Sequence, residues 1–388
     1  MPATHPPATS TIPSTAASSP GCDPGGIAGS SPASDSEGAS SSHSMRASAS
    51  PPSAPLYPPI EPYAHGWMDT GDGHRIYFEE CGNPQGLPLV VLHGGPASGC
   101  SPLQRRLFDP AAFRVVLFDQ RGCGRSTPRG NLENNDTAGL LRDIEQLRSR
   151  LGIRAWVVFG GSWGASLAIA CAAEHPGSCL GVVLRGTFLT GSRDLDWFFG
   201  GAGSLLPAPW EALVRALELP LRVDQCEHAG HAVLAMLKRR LFSDEPRVAG
   251  GAAAAWATWE DAVSRPGTGR PARRAPEPAE QGVSAPSGAP NSDLIDKYRV
   301  QAHYLEQQCF LGEERLLDLA SRIALLPVQL VHGRLDWVCR PANAWQVHQA
   351  ISGSTLTWVD HGGHNPYEPQ MLKALGEAIE RIRFASSG

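Results

Sequence analysis

Ala155-Trp156-Val157-Val158-Phe159-Gly160-Gly161-Ser162-Trp163-Gly164-Ala165 is the stretch on which the fold turns. A short apolar run, Ala155–Phe159, leads into G-x-S-x-G, and the small and apolar residues of Ala165–His175 follow with the look of a helix. A strand that reverses into a helix within so few residues leaves no room for bulk two positions either side of the serine, hence Gly160 and Gly164. The serine hydroxyl then stands above the end of the strand, and the first amides of the helix point at the same place. A glycine-rich turn with an incidental serine is the plainer alternative. The strand before and the helix after favour a nucleophile held on a tight elbow.

Similar apolar runs lie on both sides of that elbow: Pro88–Leu92, Arg114–Phe118, Leu180–Leu184, Pro327–Val331 and Thr355–Val359. Helical patterns such as Gly139–Arg150 lie between several of them. Short apolar strands separated by helices predict an α/β fold with a mostly parallel, doubly wound sheet covered on both faces. The alternation stops between about Thr190 and Phe310, where tryptophans 197, 210, 256 and 259 sit among helix-like runs without clear strands. That stretch reads as a helical cap inserted between two strands. The expected organisation is therefore a low-complexity extension (1–55), a first core segment (56–189), a helical cap (190–312) and a second core segment (313–388). Residues 1–55 are rich in Ser, Ala, Pro and Gly and are expected to be disordered. The Pro-rich stretch 264–293 within the cap reads as an exposed insertion.

Composition narrows the function. Glycine (42) and proline (34) make up about a fifth of the 388 residues, below the ~25–30% of a low-complexity chain. A net charge of −5 offers no polyanion-binding surface, so no nucleic-acid partner is expected. No apolar run approaches the ~18 residues of a membrane helix, so no membrane partner is expected either. The nine cysteines never form a C-x-x-C pair and suit a reducing compartment better than a disulfide or zinc framework. With no basic-then-apolar leader near the start, the expected location is cytoplasmic. No metal or organic cofactor is called for.

A serine hydroxyl needs a base, and the base an orienting acid. Asp336, in V-H-G-R-L-D, and His364, in D-H-G-G-H, each follow a strand, and the chain order Ser, Asp, His is the one this kind of elbow uses. His361 and His332 compete for the role of base, and Asp360 and Asp119 for that of acid. His364, on a loop between Gly363 and Asn365, is preferred, and activity is expected to fall once its imidazole is protonated. An oxyanion needs donors, and His93-Gly94-Gly95-Pro96 follows Pro88–Leu92 where a second donor loop belongs. The amides of Gly95 and Trp163 are the expected pair. A phosphate loop is the rival reading of the glycines, but neither G-x-x-x-x-G-K-[ST] nor G-x-G-x-x-G is present.

Together these segments resemble the proline iminopeptidases, α/β-hydrolases that remove N-terminal proline from peptides. The resemblance runs from about Pro58 to Phe384, interrupted by 264–293. It is carried by H-G-G-P (93–96), F-D-Q-R-G-C-G-R-S-T-P (118–128), E-N-N (133–135), F-G-G-S-W-G (159–164), V-L-R-G (183–186), W-A-T-W-E (256–260) and H-G-R-L-D-W-V-C (332–339). It implies an α/β-hydrolase with an inserted helical cap and a peptide substrate with a free N-terminal proline. It also implies that the acid of W-x-x-W-E, here Glu260, pairs with the substrate's imino group, that Phe188 lines the proline-ring pocket, and that Cys339 lies near it as a site of thiol-reagent sensitivity. Three positions depart from the family pattern. Gln301 stands where a second cap acid is usual, Ala97 follows H-G-G-P in place of glycine, and Asn365 replaces serine after the histidine. Gln301 accepts a hydrogen bond but brings no charge, so the substrate is less fixed than the reaction. Two further readings remain open: an esterase or amide hydrolase on the same scaffold, and a non-catalytic binding module.

Overall fold

The computed structural model describes residues 56–265 and 292–386. The extension 1–55 and most of the stretch 264–293 therefore lie outside the described residues. Eight strands form one sheet: β1 (Ala64–Asp69), β2 (Arg75–Gly82), β3 (Leu87–Leu92), β4 (Phe113–Phe118), β5 (Trp156–Gly161), β6 (Cys179–Arg185), β7 (Val328–Gly333) and β8 (Thr355–Val359). Their spatial order is β1-β2-β4-β3-β5-β6-β7-β8. β1 and β2 pair antiparallel, as do β2 and β4, and every other pair is parallel. The mostly parallel sheet expected from the alternation is thus present, and the six strands read from the sequence are β3 to β8.

Successive residues along a strand serve opposite faces. Val158 joins Leu92, Leu184, Ile144 and Leu167 in one apolar cluster, whereas Val157 and Phe159 join Val91, Val183, Ile379 and Ile382 in another. Thr137–Arg150 and Trp163–Glu174 cover the first face, and Pro369–Ala385 covers the second. Each fully buried Val, Leu, Ile or Phe contributes roughly 1.5–3 kcal/mol relative to exposure, so this double cover is the main source of stability. The helix after the elbow is buried almost all round, from Trp163 to Ala172. Its Gly164, Ala165, Ala168, Ala170 and Ala172 keep it slim enough to lie between sheet and neighbouring helices.

Between β6 and β7 the described chain forms helices and no strand, with Pro207–Ala216, Gly230–Leu241, Pro246–Ser264 and Ser292–Glu306 as its longer elements. These helices share their own apolar cluster, built on Phe199, Trp210, Trp256, Trp259 and Tyr298. The Trp256 and Tyr298 rings stack at 4.7 Å. Indole N–H groups tie the cluster to backbone: Trp210 donates to the Phe199 carbonyl at 2.7 Å and Trp259 to the Phe198 carbonyl at 2.9 Å. The third of these helices ends at Ser264 and the fourth begins at Ser292.

The crossing of elbow and sheet brings two main chains into close contact. A β-carbon on Gly164 would lie 2.0 Å from the Leu92 carbonyl oxygen. Gly164→Ala is therefore expected to lower the unfolding free energy by about 3 kcal/mol or more. Gly251→Ala, in a helix where an added β-carbon meets nothing within 4 Å, is expected to raise it by ~0.5–1 kcal/mol. Urea unfolding of the two variants checks the contrast.

Candidate active site

Ser162 closes β5 and opens the helix Trp163–Glu174 with φ 58° and ψ −124°, a conformation an L-residue rarely adopts. The turn is held from below, where the Ser162 amide donates to the Arg185 carbonyl at 2.8 Å. Gly160 is as constrained as Gly164, since its β-carbon would fall 2.1 Å from the Gly164 carbonyl oxygen. Both glycines of the motif are thus required by backbone contact.

The loop after β3 lies against the serine. A β-carbon on Gly94 would sit 3.3 Å from that of Ser162 and 3.9 Å from Oγ. A buried relay fixes this loop. His93 Nε2 accepts from the Gln120 amide at 3.0 Å, the Gln120 side chain donates to the His93 carbonyl at 3.0 Å, and the Trp163 indole donates to Gln120 Oε1 at 2.9 Å. Burial pushes the His93 imidazole down, so it stays neutral and keeps Nε2 as an acceptor. Neither the Gly95 amide nor the Trp163 amide, the first of its helix, donates to another described residue. Ala97 keeps a left-handed φ of 70°, which glycine would adopt without strain.

Asp336 and His364 come together from the loops after β7 and β8. His364 Nδ1 lies 2.8 Å from Asp336 Oδ2, and Asp336 Oδ1 accepts from the amides of Val338 (3.0 Å) and Cys339 (2.8 Å). Burial alone would push the Asp336 carboxyl up. The charge and hydrogen bond of His364, with help from His332 and the Cys339 amide, outweigh it and hold the carboxyl below its ordinary range. Gly186 makes room for the pair: its φ is +57°, and a β-carbon there would reach 3.2 Å from His364 Cε1 and 3.3 Å from Asp336 Oδ2.

The competing candidates are otherwise engaged. His332 is buried, accepts from the Thr187 amide through Nδ1 at 3.2 Å and meets the Cys339 carbonyl through Nε2 at 3.0 Å. His361 is exposed. Asp360 pairs with Arg334 on the surface, and Asp119 is locked to Arg125 and the Cys100 amide.

The outer nitrogen of His364 does not reach Ser162. Nε2 faces Arg185 Nη1 at 3.3 Å, and the same nitrogen of Arg185 donates to the His364 carbonyl at 2.9 Å. Ser162 Oγ meets Cys339 Sγ at 3.8 Å. Arg185 was not read as a site residue from the sequence, although it lies in V-L-R-G. Its guanidinium supports the loop that carries His364.

Ser162, His364, Phe188, Cys339, Glu260 and Gln301 all line one cavity of about 410 Å³, within the ~300–1,000 Å³ usual for small-molecule sites. Glu260 Oε2 accepts from Lys297 Nζ at 2.8 Å and from the Tyr298 hydroxyl at 2.6 Å. Burial would push this carboxyl up, but the Lys297 ammonium and the two hydrogen bonds hold it low, hence ionised at neutral pH. Gln301 is buried, and its Oε1 has no partner among the described residues. Burial and the nearby Asp336 push the Cys339 thiol well up, so it is an un-ionised thiol and a slow target for alkylation. Lys297 and Tyr298 escaped the sequence reading. The one available signal was spacing: Lys297 lies four residues before Gln301, on the same helical face. Among the described residues no three His, Cys, Asp or Glu side chains converge as a metal site requires.

A carboxyl held lower in the folded than in the unfolded chain binds fewer protons folded. Its contribution is fully present above the unfolded value of ~3.9 and is lost as pH falls through the folded value. Unfolding free energies of the wild type and Asp336→Asn, compared between pH 5 and 2.5, are expected to differ by a constant near pH 5. The wild type should lose ground only below about pH 4. A difference that grows as pH falls would contradict the pairing.

The family model described as the alpha/beta hydrolase fold matches residues 88–369. Curated relatives include a proline iminopeptidase of Xylella fastidiosa (strain Temecula1), 42% identical over 322 residues that span 82% of this chain and 96% of that protein. Another is a proline iminopeptidase of Arabidopsis thaliana, 38% identical over 84% of this chain and 82% of that protein. Among solved structures, an esterase from Exiguobacterium antarcticum superposes with a TM-score of 0.53 at 19% identity, over 81% of this chain and 98% of that one, a likeness of fold alone. By these matches the chain belongs to the proline iminopeptidase family of α/β-hydrolases.

Proposed function

We propose that this protein is a serine exopeptidase that releases N-terminal proline from peptides. The observation that carries the reading is the opening of Ser162 and of His364, which is paired with the buried Asp336, onto the same cavity as Glu260. Family membership supports it, since the relatives are named for that activity.

In this reading the imino end of the substrate lies toward Glu260, and the prolyl carbonyl lies over Ser162. His364 turns Nε2 from Arg185 to the hydroxyl and takes its proton as Oγ bonds to the carbonyl carbon. Side chains of an unliganded site commonly align only around substrate. The imidazolium that forms is held by Asp336 through Nδ1. The amides of Gly95 and Trp163 carry the oxyanion, with a typical worth of ~3–4 kcal/mol each. His364 then gives its proton to the leaving amine as the C–N bond breaks. Water, deprotonated by His364, hydrolyses the prolyl ester and frees Ser162. Phe188 and Cys339 shape the pocket for the prolyl ring.

A secondary ammonium has two N–H donors. Glu260 Oε1 accepts no hydrogen bond among the described residues, and Gln301 Oε1 is likewise open. These two acceptors are the chemistry that would choose a free imino end over a blocked one. The helices between β6 and β7 serve as the cap (190–312). The described cysteines are all free, as in the reducing cytoplasm where we place the protein. No described helix is long and apolar enough to cross a membrane.

The test compares a proline arylamide, its N-blocked form and a simple aryl ester. Cleavage of the free-imino arylamide in preference to the blocked one is expected, with a loss of at least ~10⁴-fold in kcat for Ser162→Ala. Ester turnover without any preference for a free imino group would instead assign a general esterase or amide hydrolase, the reading favoured by the missing charge at Gln301.

A further inference from the structure

The carboxylate at the Glu260 end of the cavity already has a cation beside it. Lys297 Nζ lies 2.8 Å from Glu260 Oε2, and the Tyr298 hydroxyl occupies the same oxygen at 2.6 Å. The second polar group there, Gln301, is neutral. Glu260, its ion pair and Gln301 therefore sum to zero charge, although a free imino terminus arrives as a cation. Lys297 itself does not line the cavity; it holds Glu260 from the side, with its side chain a quarter exposed.

We propose that Lys297 is a specificity-determining residue, an internal ammonium that competes with the substrate's imino group for Glu260. This rests on the reading of Glu260 as the anchor of that group. Two cations on one carboxylate repel each other, so each weakens the other's hold. Substrate must either share Glu260 through Oε1 or drive Lys297 out. A lysine on its flexible stem, partly in water, can be driven out without leaving a buried, unpaired charge. The effect falls on binding of the free imino end. It does not reach the ester, which presents no cation, nor the steps at Ser162.

The experiment uses the full chain with the proline arylamide, its N-blocked form and an aryl ester. In Lys297→Met the Tyr298 hydroxyl still donates to Glu260, and the arriving imino cation takes the lysine's place in favouring the ionised carboxylate. The variant is therefore expected to lower KM for the proline arylamide about tenfold with kcat within about twofold, leaving the ester's constants unchanged. Lys297→Arg, which keeps the charge, should retain the wild-type KM. In a Glu260→Gln background the gain from Lys297→Met should vanish, since no carboxylate remains to be contested. Ester turnover and the melting temperature report folding, and Lys297→Gln is read in the same way if the methionine variant does not fold. An unchanged or higher KM for the arylamide in a folded variant overturns the proposal while leaving the exopeptidase reading intact. If neither the wild type nor any variant prefers the free imino substrate, that reading fails and the proposal falls with it.

Discussion

The approach of Gly164 to the Leu92 carbonyl is the contact on which the site depends. It brings the helix after β5 down onto the end of β3, and this places the His93–Gly95 loop beside Ser162. Two main chains at such a distance leave no freedom for a β-carbon and little for rotation. The serine, the first helical amide and the glycine loop therefore take their relative positions from backbone packing. The buried relay of His93, Gln120 and Trp163 then adds hydrogen bonds to a geometry already imposed by contact.

Around that fixed centre the polar groups are arranged by charge. Asp336 is buried yet ionised, because His364 and two amides satisfy it. Glu260 is ionised because Lys297 and Tyr298 satisfy it. Arg185 has the opposite history: burial pushes its guanidinium down, and its Nε has no acceptor among the described residues. Its one strong use is the His364 carbonyl. The His364 loop thus leans on a guanidinium at its back and on a carboxylate at its front.

The central strands, the elbow and the Ser, Asp and His positions were legible because each rests on local pattern: an apolar run, a glycine pair, a loop after a strand. β1 and β2 were not. β1 offers only Trp67 and Met68 as large apolar residues, and β2 buries Glu79 and Glu80 in the middle of its apolar run. Those acids are tolerated because Arg105, Arg125 and Arg114 reach them from distant parts of the chain, which no local pattern reveals. The same limit hid Arg185 and Lys297. Their roles come from partners far off in sequence, His364 and Glu260. The strand ends were read short at Gly160–Gly161 and Gly333 because glycine is a poor strand former, whereas the ladder here continues through them.

The φ of 58° at Ser162 carries a consequence for the folding of the whole chain. A turn of this shape suits glycine, and a side chain there stores roughly 1–3 kcal/mol of strain. Ser162 is thus a standing load on the scaffold, and the apolar clusters on both faces of the sheet must hold it in place. A protein with glycine at 162 would be the sturdier molecule. The margin of stability in this fold is in part the reserve that lets it carry a serine in a shape the residue would not choose.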